Sequence, residues 1–453
     1  MPEENRSMFE EQSVFQVVLK LAIPTIISQI ILVIYNMADT FYIGMTESDV
    51  MLSAVTVCLP AFMFLSAIAN LFGIGGAATI SRAQGAGNNR RASGAAGAAF
   101  WGTVVLTILY SCIALAFLDS YVNLLGGLNA AVHEEAKKYL MVTVVIGGLF
   151  TALDSLMAHL IRSEGRSREA GFGITLGGIL NIVLDPLFMF VLLPKGREVL
   201  GAAIATALSN VLSFLYFLWL LRHVQKDGSV LDLKFDPSCL KDGTMKEVLK
   251  TGAAACIMTL FENISYAVLD HLMAYAGIIY QAGIGVAKKI NMLSHSVVRG
   301  MSQGVLPLIA YTYAHRNYER MKKTILISSL LSVGISLICM GTCLIFAKPL
   351  VDIFTADGPS QAAGAEFLRI LCIGCPFSAF AYAVISFMQA VGQNKKSFIL
   401  ALLRKGIIDI PLMIFLFRHM DPNLIVMATP IADVICCFIS VVLFCIMNKR
   451  LVC

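Results

Sequence analysis

Asn181 and Asp185 stand four residues apart in the apolar run NIVLDPLF, a spacing that puts both on one face of a helix. Asp39 lies in YNMADTFYIG and Thr206 in GAAIATALSN, each within a long apolar stretch. An acid at the centre of a membrane helix costs about 2.5–3.5 kcal/mol to insert, so its first reading is functional. Two carboxylates beside an amide and a hydroxyl offer only oxygen ligands, which suit a proton or a small hard cation. Neighbouring acids also hinder each other's ionisation, which favours reversible protonation. The alternative for these four residues is a structural polar cluster.

A second set recurs further along. Glu262, Tyr266 and Asp270 fall on one helical stripe, and Lys289 and Arg299 fall on one stripe of the next apolar run. These residues are candidates for a secondary ion site, or for an internal ion-pair network between helices. Asp154, Asp409 and Asp433 are further acids in apolar surroundings.

Other chemistry finds little support. The seven His residues show no ligand spacing, and GIGGAA lacks the Gly-Lys-Ser/Thr that completes a phosphate-binding loop. No cofactor and no enzymatic activity are therefore expected. Cys372-Ile-Gly-Cys375 has a CxxC spacing but lies in a hydrophobic segment without a second pair, so it reads as packed thiols. The formal net charge of +5 is small and scattered, which argues against a nucleic-acid partner.

The elements that must hold these residues are membrane helices. The 453 residues are 58% hydrophobic and 14% charged, with a mean hydropathy of +0.78. Soluble chains carry roughly 25% charged residues. Apolar runs of about 20 residues or more predict twelve spans: 17–42, 51–81, 93–118, 136–161, 169–193, 199–222, 248–275, 281–311, 321–346, 365–390, 396–417 and 424–447. At a rise of roughly 1.5 Å per residue, Asp185 and Thr206 lie roughly 12 and 10 Å from the outer ends of their spans. The first apolar run is far longer than the core of a secretory signal and is expected to be a span.

Most of the 34 Lys and Arg residues fall on one side of this parse, including Arg90, Arg91, Arg162, Lys395, Lys396, Arg404, Lys405, Lys449 and Arg450. That bias predicts both termini in the cytoplasm. The longest polar loop divides the chain into an N-lobe (1–223), a linker (224–246) and a C-lobe (247–453). The lobes also resemble each other. Lys20 matches Lys250, Arg91 matches Arg320 and Gly165 matches Gly392, at offsets of 230, 229 and 227. Six spans per copy give parallel repeats, an arrangement that transporters use to rock around a substrate site.

The motifs LAIPT, YNMADTFYIG, SRAQGAG, IRSEG, NIVLDP, GAAIAT and GMSQGVLPLIAY, in this order across about 17–447, resemble the multidrug and toxic compound extrusion (MATE) transporters. The resemblance implies an all-α, V-shaped pair of six-helix lobes in the cell membrane. It also implies export of amphipathic organic cations against inward Na⁺ or H⁺ flow. In the archaeal and DinF-like branches the ion site falls on the positions of Asp39, Asn181, Asp185 and Thr206, which would hold Na⁺ if Na⁺ is the coupling ion. In the NorM-like branch a C-lobe site uses a Glu after Phe, matched by Phe261-Glu262, and an Asp where this chain has Ser378. The resemblance therefore favours the N-lobe site, in a chain expected to be a monomer. The alternative reading is a lipid-linked saccharide flippase of the same superfamily. That activity would need basic residues in a central cavity, and the N-lobe spans have none.

Overall fold

The computed structural model describes residues 3–450, apart from 47, 128, 355–357 and 420, and side chains from 5 to 447. The side chains of Lys449 and Arg450 lie outside that set. Among the described residues the chain is helical and carries no strand, because hydrocarbon leaves backbone groups no partners but their own.

All twelve apolar runs form helices: α1 Val14–Gly44, α2 Asp49–Gly85, α3 Asn89–Ala116, α4 Ala130–Leu140 continuing to Gly148–Ser163, α5 Ser167–Pro186 and α6 Glu198–Lys226. The second six are α7 Thr244–Ala276, α8 Ile278–Ala314, α9 Tyr318–Asp352, α10 Gly358–Ile373 continuing to Cys375–Ala390, α11 Asn394–Leu402 continuing to Ile410–Phe417, and α12 Pro422–Arg450. Eight of these are long and apolar enough to cross a membrane, or ten when the bent pairs in α4 and α10 each count as one. The bends, 49° and 42°, fall at Gly147 and Gly374, where a helix yields most easily. The two that fail on composition, α8 and α11, carry Lys288, Lys289, Arg299, Arg404 and Lys405.

Those bases correct one sequence expectation. The positive-inside count sets Arg404 and Lys405 with the cytoplasmic bases, although the predicted span 396–417 encloses them. Both are instead buried inside α11, each bound to a carboxylate. Arg162, counted on the same side, is 2% exposed within α4. Charge alone places a base in water, but a buried carboxylate partner removes that requirement.

The chain folds as two compact units. Unit 1 contains 1–11 and Ile31–Cys256, and unit 2 contains Gln12–Ile30 and Ile257–Cys453. Glycines explain why helix ends group as they do. In unit 1 a Cβ on Gly252 of α7 would meet the Leu71 carbonyl of α2, and one on Gly75 would meet Val248. In unit 2 a Cβ on Gly300 of α8 would meet the Ile26 backbone of α1, and one on Gly304 would meet the Leu21 carbonyl. Helices can approach this nearly only where at least one of them lacks a side chain at the crossing.

Candidate functional site

Small residues build the acid cluster of unit 1. On α5 the inward face carries Gly173, Gly177, Gly178, Asn181 and Asp185, while Phe172, Ile179 and Val183 face outward. A Cβ on Gly178 would lie 2.8 Å from Ile31 of α1, and one on Gly177 would lie 3.1 Å from Ser213 of α6. The glycines therefore draw α1 and α6 onto α5. Ile31, Tyr35 and Asp39 follow one another at four-residue steps along α1, so seating Ile31 on Gly178 carries Asp39 up to Asp185. Beyond Pro186, which has no N–H to give, the chain widens into a π-helical turn at Leu187–Leu192. Gly201 of α6 lies 2.9 Å by the same measure from the Met189 backbone there.

The four sequence candidates come together. Asn181 Nδ2 donates to Asp185 Oδ1 and to Thr206 Oγ1, both at 3.3 Å. The Asp39 and Asp185 carboxyls lie in side-chain contact. Asn181, Asp185 and Thr206 are 1%, 0% and 4% exposed, and among the described residues no Lys, Arg or His is seen paired with either acid. Three oxygens are left buried and without a donor: Asp39 Oδ1, Asn181 Oδ1 and Asp185 Oδ2. Two carboxyls in contact cannot both hold full charge unless a proton or cation lies between them. This arrangement can bind and release one small cation.

Two neighbours escaped the sequence reading. The phenols of Tyr35 and Tyr139 both lie within electrostatic reach of Asp39 and Asp185. The spacing of Tyr35 to Asp39, one helical turn, was the available signal for the first. Tyr139, on α4, had none. Asp154 accepts from Ser213 Oγ and lies within electrostatic reach of the same Tyr35 phenol.

The stripe in unit 2 is different in kind. Glu262 accepts from Tyr382 Oη at 3.3 Å and pairs with Arg299 Nη1 at 3.5 Å. Asp270 pairs with Lys288 rather than with Lys289. Tyr266 lies under Lys288 and Lys405, 5.5 and 5.9 Å from its ring centre. Asp409 accepts from Lys405, Ser265 and Thr429 at 2.9, 2.7 and 3.1 Å, and Asp433 accepts from Arg404 Nε at 2.8 Å. Each of these acids has a base. Ser378 donates to the Cys375 carbonyl of its own helix and supplies no second acid beside Glu262.

Away from both clusters, a cleft of about 550 Å³ opens between Asn89, Arg90 and Ser93 of α3 and the linker residues Ser229, Asp232 and Lys234. It includes none of the carboxylates described above. Among the described residues no three His, Cys, Asp or Glu side chains gather as metal ligands.

The comparisons agree on family and fold. Residues 24–187 and 254–415 match the MatE family. Multidrug export protein MepA of Staphylococcus haemolyticus is 26% identical over all of this chain and 98% of its own length. MepA of Staphylococcus aureus strain MRSA252 is likewise 26% identical, with the same coverage. A crystal structure of MATE in complex with MaL6 superposes with a TM-score of 0.90 at 24% identity, over 98% of each chain. An outward-facing multidrug resistance transporter of the MOP superfamily gives 0.89 at 23% identity, again over 98% of each.

Proposed function

The chain belongs to the MatE family of multidrug and toxic compound extrusion proteins, and from that membership we propose that it is a secondary active efflux antiporter of the cell membrane. It exports amphipathic organic cations in exchange for inward Na⁺ or H⁺, and it is a transporter rather than an enzyme. Both relatives named above are multidrug export proteins matched along their whole length, which supports the substrate class.

The coupling ion binds at Asp39 and Asp185, with Asn181 and Thr206 completing the oxygen set. The observation that carries this reading is the trio of buried, donor-free oxygens around two touching carboxyls. A hard cation prefers oxygen ligands, and a proton needs only the two acids. Ion uptake neutralises a site that is otherwise costly in hydrocarbon, so loaded and empty states favour different helix packings. The 1–223 and 247–453 lobes rock about this exchange as a monomer, with both termini cytoplasmic. Purified protein in proteoliposomes, given separately imposed Na⁺ and proton gradients, tests the reading. Dye accumulation driven by one gradient is expected, and accumulation driven by neither would defeat it.

A lipid-linked saccharide flippase is the weaker alternative. The buried bases Arg404 and Lys405 favour it, because a pyrophosphate needs cations. Each of them, however, already faces its own carboxylate.

A further inference from the structure

The cleft beside the linker is lined by groups that the rest of unit 1 leaves unused. Its volume of about 550 Å³ falls within the roughly 300–1,000 Å³ of small-ligand sites. Arg90 and Ser93 line it from the start of α3, Gln225 from the end of α6, and Lys234 from the linker. Among the described residues the side chains of Arg90, Ser93 and Lys234 have no hydrogen bond and no ion pair. Asp236, within electrostatic reach of Arg90, lies outside the lining and spends its carboxylate on the Ser238 N–H at 2.9 Å.

We propose that this cleft binds the phosphodiester headgroup of an anionic phospholipid from the cytoplasmic leaflet. The cleft lies on the cytoplasmic side in the orientation proposed above, and its ligand is independent of the coupling ion and of the exported substrate.

Charge selects the ligand. Arg90 and Lys234 bring two positive charges to the lining and Asp232 one negative, which leaves an excess of one. A phosphodiester carries one negative charge. Asp232 Oδ1 is turned to its own segment, where it accepts from Lys234 N at 3.0 Å. The Arg90 guanidinium offers paired donors to two phosphate oxygens, and Lys234 adds a point charge. The dipole of the 28-residue α3, positive at its start, acts in the same sense.

The wall is held without those side chains. Gly97 of α3 lets the Lys234 carbonyl lie where a Cβ would otherwise stand. Trp101 Nε1 donates to the Leu233 carbonyl and Gln225 Nε2 to the Leu231 carbonyl, both at 2.8 Å. Val230 N donates to Glu164, and the Leu231 side chain is 1% exposed in the core of unit 1. Each hydrogen bond ties down a linker backbone group. The cleft is therefore preformed, with its cationic side chains left for a ligand from outside.

Depth identifies where the phosphate comes from. The chain has two Trp residues. Both stand toward this end of their helices with exposed rings, Trp101 on α3 and Trp219 on α6. Exposed Trp marks the membrane interface. At a rise of roughly 1.5 Å per residue, Ser93 and Gln225 lie roughly 12 and 9 Å beyond them toward the linker. That is within reach of a lipid phosphate and past the acyl chains. Phe235, exposed next to Lys234, adds an apolar side chain at the same level. A soluble phosphate has no use for exposed rings beside its site, whereas a lipid does.

The Trp residues also provide the test. In full-length Trp219→Phe protein, Trp101 is the sole Trp, and a lipid with brominated acyl chains quenches it when the cleft is occupied. Phosphatidylcholine vesicles carry either brominated phosphatidylglycerol or brominated phosphatidylcholine at the same mole fraction. Half-maximal quenching is expected at a mole fraction at least tenfold lower for the phosphatidylglycerol. Arg90→Gln and Lys234→Gln should each reduce that preference about fivefold, and together bring the two lipids level. Arg90→Lys keeps the charge and should retain most of it. If the double variant fails to fold, the single ones carry the same comparison. Lys322→Gln with Lys323→Gln removes two bases elsewhere and should change nothing. Equal quenching by both lipids overturns the site, as does a preference that survives the double variant. An equal loss in the remote pair would assign the preference to diffuse charge and overturn the site as well. Excess inorganic phosphate at matched ionic strength should leave the quenching in place, and full recovery of fluorescence would overturn the lipid as ligand.

Discussion

Glu262 faces Arg299 across 3.5 Å, and this one contact separates the acid clusters of the two units. An acid with a resident base is a fixed internal charge pair, satisfied without any ion from outside. Among the described residues Asp39 and Asp185 have each other and no base, and on the proposed reading an exchangeable cation meets their charge. On that reading ion exchange is expected in unit 1 and structural ion pairing in unit 2.

Asp39→Asn and Asp185→Asn are each expected to abolish gradient-driven efflux. The amide keeps the size of the carboxyl and removes only its charge, so expression and thermal stability should stay close to wild type. Dye efflux from energised vesicles, with melting of the purified variants alongside, gives both readouts. Full efflux by either variant would sink the assignment.

Asn181→Ala and Thr206→Ala should be milder, since each removes a neutral ligand, with Thr206→Ala losing one hydrogen bond of the Asn181 Nδ2 pair and Asn181→Ala both. A hydrogen bond of this kind contributes roughly 0.5–1.5 kcal/mol. The coupling-ion concentration for half-maximal efflux should therefore rise roughly two- to tenfold. Loss as complete as in the aspartate variants would assign the amide or hydroxyl a greater part than ligation.

Glu262→Gln should weaken transport or narrow its substrate range without uncoupling it. The change leaves Arg299 without its counter-charge, and breaking a buried pair by removing one partner costs about 3–5 kcal/mol when burial is complete. Arg299 is a quarter exposed, so the loss of stability should fall below that range. Complete loss of ion-driven efflux here, with Asp39→Asn still active, would move the coupling site to unit 2.

Much of this was legible in the sequence, for identifiable reasons. Apolar runs are long, and hydrocarbon thickness fixes their scale, so the twelve helices could be read directly. The acid cluster of unit 1 was legible because an acid in an apolar run has few explanations, and because Asn181 and Asp185 share a helix face by spacing alone. What the sequence hid depends on contacts between distant segments. Nothing in the order of residues pairs Arg404 with Asp433 or Lys405 with Asp409, and without those partners both bases counted with the cytoplasmic set. The same holds for Glu164 in the IRSEG motif, whose partners lie in α2 and in the linker.

Glu164 is fully buried, with Oε1 accepting from Gln84 Nε2 at 3.2 Å and from Val230 N at 2.9 Å, while Oε2 accepts from Ser229 Oγ at 2.6 Å. It therefore ties the linker to unit 1. Glu164→Ala would strand three donors, each at a cost of about 1–3 kcal/mol if it stays buried. The linker should instead release, and trypsin should cut at Lys226 or Lys234 well before it does so in the wild type. An unchanged digestion pattern would show that Trp101, which donates to the Leu233 carbonyl at 2.8 Å, holds the linker by itself.

The last prediction concerns competition between substrate and ion. Asp39 and Asp185 lie in a low-dielectric wall where water screens little, so their negative potential extends further than it would at a wet surface. A flat monovalent cation should bind better than an anion of equal size. It should also be displaced by the coupling ion, because both draw on the same carboxylates. Equilibrium binding of an ethidium-like dye to purified protein, measured across Na⁺ concentration and pH, separates the two coupling schemes. Sodium coupling predicts dye affinity that falls as Na⁺ rises at fixed pH. Proton coupling predicts affinity that falls as pH falls and is indifferent to Na⁺. In the double variant Asp39→Asn with Asp185→Asn, either dependence should flatten. A wild-type affinity insensitive to both ions, or equal affinity for an isosteric anion, would remove the carboxylates from the transport cycle.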